Sequence, residues 1–119
     1  MSEQPVLDPT AIAALNSVVP DDGGAFLREL LDIFLADTPK RIQEIDTSLA
    51  AADIPTLTRA AHSIKGSSSN FGASVLVAVA KEMEAAAKAS DLAKARELRP
   101  LLQAEFERVR AAMDVLRAS

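Results

Sequence analysis

A chain of 119 residues is the size of one domain, long enough to bury roughly two thirds of the surface its unfolded form exposes. Its apolar residues are mostly Ala and Leu, with four Phe as the only aromatics, and its charged residues are interspersed to a net charge of -4, which leaves neither a phosphate-tracking groove nor a base-stacking platform for nucleic acid. With no cysteine there is no disulfide framework and no thiolate metal site.

The first residues, Met1-Ser2-Glu3-Gln4-Pro5, lack a positive segment followed by an apolar one, and no apolar run approaches the roughly 20 residues of a membrane span. The expectation is a soluble, cytoplasmic protein with no membrane partner. A domain beginning so soon after Met1 suggests a complete small protein. Residues 1–7 have no periodicity and are expected to form a flexible tail, with a single helical domain over 8–119.

Asp8-Pro9 is a helix cap followed by proline in the first turn; the short helix carries Ile12, Leu15 and Val18 or Val19 and stops before Pro20. Asp21-Asp22-Gly23-Gly24 is a turn. A second helix follows, with Phe26, Leu27, Leu30, Leu31, Ile33, Phe34 and Leu35 covering more than half its circumference. That surplus suits a helix packed among several others, or one that leaves Phe26 or Ile33 exposed for a partner. Thr38-Pro39 repeats the cap-then-proline signal, so a third helix starts there or runs on with a bend, with Ile42, Ile45 and Leu49 inward.

Asp53 caps a fourth helix whose buried stripe is Leu57, Ala60, Ala61, Ile64, Ser68 and Phe71, closed by Gly72. A fifth, from about Ala73 to Ala89, buries Leu76, Val79, Ala80, Met83 and Ala87 and carries Lys81, Glu84 and Lys88 together on another face. Ser90-Asp91 caps the last helix, whose apolar rhythm runs to Leu116 with a kink or break expected near Arg96 to Arg99 because of Pro100. Short connections make neighbours antiparallel. The expected fold is therefore all-α, an antiparallel up-down four-helix bundle with one or two additional N-terminal helices.

His62, the only histidine, lies about 160° around its helix from the buried Ile64 and so faces solvent, with Lys65 and Gly66 on the same exposed patch one turn on and Arg59 one turn back. A glycine in an exposed helical turn costs roughly 0.5–1 kcal/mol relative to alanine. Gly66 is explained if something must approach the backbone beside His62. An exposed imidazole is largely neutral near pH 7, so a ring nitrogen can attack phosphorus, and a phosphoryl group then needs a counter-charge that Lys65 can supply.

The run Ala61-His62-Ser63-Ile64-Lys65-Gly66-Ser67-Ser68-Ser69-Asn70-Phe71-Gly72-Ala73 resembles the signature of histidine-containing phosphotransfer (HPt) domains of bacterial multistep two-component signalling. Leu7-Asp8-Pro9, Phe26 to Leu31 and Phe106 to Val109 are similar to that family as well. The resemblance implies that His62 accepts a phosphoryl group from the aspartate of a receiver domain and passes it to another, with response-regulator receivers and a hybrid sensor histidine kinase as partners. It implies Lys65 at the phosphate, and a docking surface including Gly66, Ser69, Arg59, Phe26 and Ile33. Mg²⁺ would belong to the receiver, with no metal or cofactor on this chain. Where some family members place a Gln that bonds the histidine, this sequence has Glu84, a candidate to orient the ring, and Lys88 one turn on is a candidate phosphate contact.

An enzyme using His62 as general base would need a second catalytic group and a positioning pocket, which the sequence does not offer. A kinase would need glycine-rich phosphate loops, and a metal bundle more than one histidine. The alternative function is a non-catalytic helical adaptor of the same fold.

Overall fold

The capping residues start most of the helices in this computed structural model, which describes residues 6–19 and 21–118. Five helices form among them: α1 (Pro9–Asn16), α2 (Ala25–Ala51), α3 (Ile54–Ser69), α4 (Ser74–Lys88) and α5 (Leu92–Ala118). The Asp8 carboxylate accepts from Thr10 N at 2.9 Å, Asp53 from Thr56 N at 3.2 Å and Asp91 from Lys94 N at 3.0 Å, each satisfying an amide that its helix cannot. Asp22 does the same for α2, accepting from Gly24 N at 2.9 Å and Phe26 N at 2.8 Å. The Phe26 amide is the main reason its carboxyl is held below the usual carboxylate range.

At two prolines where the sequence left alternatives open, the helix runs on. The second and third helices are one, because α2 runs unbroken through Pro39. Proline in a helix interior costs roughly 3 kcal/mol, but full burial of a side chain such as Phe or Ile contributes roughly 1.5–3 kcal/mol. Phe34, Ile42 and Ile45 are buried on both sides of Pro39, whose ring stays exposed, so packing outweighs the defect. α5 likewise continues through Pro100 without a break, with Leu98 and Leu102 buried on either side. A further difference is at α1, which ends at Asn16 and leaves Val18 and Val19 exposed rather than inward.

The long helices touch in ring order, α2 to α3, α3 to α4, α4 to α5 and α5 back to α2, while α1 packs on α2. Ion pairs show the antiparallel register of α2 and α5: Arg99 meets Asp46 at 2.5 Å and Arg117 meets Asp32 at 2.7 Å, so one number rises as the other falls. Phe34 meets Phe71 edge-on at 5.3 Å and lies 6.2 Å from Phe106, tying α2 to α5 and to the α3–α4 turn.

That turn also holds the N-terminal segment. Gly72 has φ +64°, and a Cβ there would lie 2.2 Å from Asp8 Cβ, while Asp8 N donates to Phe71 O at 3.2 Å. Leu7, expected in a loose tail, is consequently buried in the core, with Val6 packed against it; residues 1–5 of that expected tail lie outside the described residues. Among the described residues no helix is long and apolar enough to cross a membrane.

Candidate functional site at the α3–α4 seam

Small side chains bring α3 and α4 together. α3 buries Ala60 and Ala61 and α4 buries Ala80, Ala86 and Ala87, so the backbones approach closely enough for short side chains to meet across the seam. On the outer side of α3, His62 has a side chain 64% exposed, and opposite it stands Glu84, 8% exposed.

Glu84 is the hub of the site. Its Oε2 lies 3.0 Å from His62 Nδ1 and 3.3 Å from Lys88 Nζ, and its Oε1 lies 2.6 Å from Lys65 Nζ. A buried carboxylate without partners would be driven toward protonation, but these three bonds reverse that. The Lys65 ammonium is the largest cause; burial opposes it, and His62 and Lys88 add to it, so the Glu84 carboxyl is lowered to about 2. Glu84 is therefore ionised at neutral pH and can only accept, which makes Nδ1 of a neutral His62 the donor. The lone pair is then on Nε2, across the ring from Glu84.

The structure thus brings together four of the residues singled out in the sequence: His62, Lys65, Glu84 and Lys88. Lys65, expected free beside His62, is paired with Glu84 because the antiparallel register sets it across the seam from the carboxylate. Gly66 is exposed on the His62 side, and a Cβ built on it meets nothing within 4 Å, so no contact within the chain requires a glycine there. Ser69 is exposed, its hydroxyl donating to Gly66 O at 2.7 Å, and Arg59 is exposed one turn before His62.

Ile33, 57% exposed, and Phe26, half-buried, lie in the N-terminal part of α2, toward the end of the bundle where Phe34 meets Phe71. Roughly 10 Å of helix rise separates His62 from the end of α3 at that side. Lys81 is the residue to which the sequence reading gave no role. It lines a depression with Lys65, Glu84, Ala85 and Lys88, and its spacing of three from Glu84 was the available signal.

The chain is similar to known proteins in sequence and in fold. A family model described as the Hpt domain matches residues 29–112. A crystal structure of histidine-containing phosphotransfer protein B (HptB) from Pseudomonas aeruginosa PAO1 is similar over 98% of this chain and 97% of that one, with a TM-score of 0.88 and 34% identity. The phosphorelay intermediate protein rdeA of Dictyostelium discoideum is 34% identical over 84 residues, which are 71% of this chain and 33% of that protein, so the chain matches about a third of that relative's length. With the family model spanning most of the bundle, including α3 and α4 in full, the chain belongs to the Hpt domain family.

Proposed function

We propose that this protein is a histidine phosphotransfer intermediate: Nε2 of His62 attacks the phosphorus of a receiver domain's aspartyl phosphate in line, the N–P bond forms as the aspartyl O–P bond breaks, and the aspartate leaves as a carboxylate. Reversal onto a second receiver completes the relay. The observation that carries the reading is the bond from His62 Nδ1 to the ionised Glu84, which leaves the nucleophilic nitrogen on the exposed side of the ring.

Chemistry follows from that bond. When Nε2 bonds phosphorus while Nδ1 keeps its proton, the ring becomes cationic, and the Glu84 carboxylate beside Nδ1 stabilises the charge as it develops. The same carboxylate would repel the incoming phosphoryl group were it bare. Lys65 and Lys88, both paired with Glu84, offset it, and phosphoryl oxygens would compete with Glu84 for them. Gly66 gives the receiver backbone clearance next to His62, and Ser69, Arg59, Phe26 and Ile33 extend the docking surface.

The receivers proposed as partners include that of a hybrid sensor histidine kinase as donor, in the cytoplasm. Mg²⁺ sits with the receiver's acidic pocket, and no metal or cofactor is proposed for this chain. The test is to mix the purified protein with labelled, phosphorylated receiver domains in ATP-free buffer. Label should pass to this chain as an acid-labile, alkali-stable phosphoramidate, and His62→Gln should abolish transfer while leaving the helical signal intact. A wild-type chain that binds receivers without ever accepting label, with binding and signalling unchanged in His62→Ala, would make it an adaptor instead.

A further inference from the structure

Antiparallel packing arranges the facing residues of α3 and α4 in layers. His62 and Glu84 form one layer. One turn toward the α3–α4 connection, the same register sets Lys65 level with Lys81, and one turn the other way it sets Arg59 level with Lys88. Four cations thus flank the His62–Glu84 layer, in a chain whose net charge is -4.

On the α4 side Lys65, Lys81, Glu84, Ala85 and Lys88 line an open depression of about 210 Å³. It opens to solvent and is larger than a single water site, so a side-chain carboxylate can enter it. Its walls carry three ammonium groups and one carboxylate. Glu84 is already committed to Lys65 and Lys88, and Lys81 makes no ion pair among the described residues. Like charges gathered in one recess repel, and this gathering serves no fold contact on the Lys81 side.

We propose that this recess is a docking subsite for a carboxylate on the surface of the partner, and that Lys81 is the residue that selects an acidic partner there. The inference rests on the reading that a receiver domain docks at His62. The anion that meets Lys81 comes from the partner rather than from the phosphoryl group carried on His62, whose oxygens compete for Lys65 and Lys88: His62 does not line the recess, and Lys81 is the one of its lysines with no ion pair among the described residues. Such a charged subsite acts on encounter and orientation more than on the chemical step, and salt screens it over about 8–10 Å.

The experiment compares wild type, Lys81→Ala, Lys81→Glu and, as a control on the helix diagonal to α3, Arg110→Glu. Single-turnover transfer from a phosphorylated receiver domain is followed against receiver concentration at low and high salt. The expected result is that Lys81→Glu lowers kcat/KM roughly tenfold at low salt through KM, with Lys81→Ala between it and wild type. The rate at saturation should stay within about twofold of wild type, the deficit should shrink at high salt, and an acidic-to-Lys change on the receiver should restore Lys81→Glu. A Lys81→Glu protein indistinguishable from Arg110→Glu at low salt would overturn the proposal, and so would a loss confined to the saturating rate, which would place the phosphoryl group itself in the recess. Should the wild type accept no phosphoryl group, the relay reading fails separately. The receiver's Kd, measured by calorimetry on the same variants, then decides this inference by the same pattern of salt-dependent weakening or its absence.

Discussion

His62 Nδ1 and Glu84 Oε2 lie 3.0 Å apart, and the carboxylate in that contact is buried while the imidazole is largely exposed. The asymmetry matters. A buried acceptor held by two lysines has little freedom, so it imposes an orientation and a tautomer on a ring that solvent would otherwise leave mobile. The bundle supplies the rigidity, and His62 supplies the reactive nitrogen.

Replacing Glu84 separates its two roles. Glu84→Gln keeps an acceptor for Nδ1–H but no charge, whereas Glu84→Ala keeps neither. Glu84→Ala should slow phosphotransfer by roughly 10–100-fold, the range seen when a partner that orients a metal-bound histidine is lost, with Glu84→Gln falling between it and wild type because it keeps the acceptor and loses the charge. Nitrogen chemical shifts of His62 should show a mixed tautomer population in Glu84→Ala and the Nδ1–H form in wild type. Equal tautomer populations in both would remove Glu84 from the mechanism.

Acid should reveal the same cluster. The Glu84 carboxyl is lowered in the folded protein to about 2 from an ordinary value of 4.5, so its contribution to stability is fully present above about 4.5 and is lost as pH falls from there toward 2. Urea unfolding between pH 6 and 2.5 should show wild type losing more stability over that window than Glu84→Gln, which has no carboxyl to protonate at this site. Parallel losses in both would show that Glu84 does not couple folding to pH.

Gly66 and Gly72 should respond to alanine in opposite directions. At Gly66, in mid-helix with open space around a new Cβ, alanine should stabilise the bundle by roughly 0.5–1 kcal/mol while slowing transfer from receivers. At Gly72 the backbone has φ +64° and the Cβ would strike Asp8, so alanine should destabilise by roughly 2 kcal/mol or more and loosen the Leu7 segment. Thermal unfolding together with transfer rates distinguishes the two. A Gly66→Ala protein that is more stable and equally fast would mean that no partner needs the clearance.

Much of this was legible because helical spacing is a local property. The stripe of Leu57, Ala61 and Ile64 fixes which side of α3 is buried, and with it the exposure of His62; the spacing from Glu84 to Lys88 puts both on one face. What was not legible depends on contacts distant in sequence. Thr38-Pro39 has the form of a helix start, and only burial of Phe34 and Ile42 against other helices carries α2 through it. The docking of Leu7 depends on a turn 65 residues further on, where Gly72 makes room for Asp8. The pairing of Lys65 with Glu84 likewise required the register of α3 against α4, which no spacing within one helix encodes.

With one histidine in the chain, phosphorylation can be located atom by atom. Protein labelled with ¹⁵N-histidine, phosphorylated from a receiver domain and examined by long-range ¹H–¹⁵N and ³¹P correlation, should show phosphorus bonded to Nε2 of His62 with the proton retained on Nδ1. Phosphorus on Nδ1, or no phosphohistidine with any receiver that binds, would contradict the account.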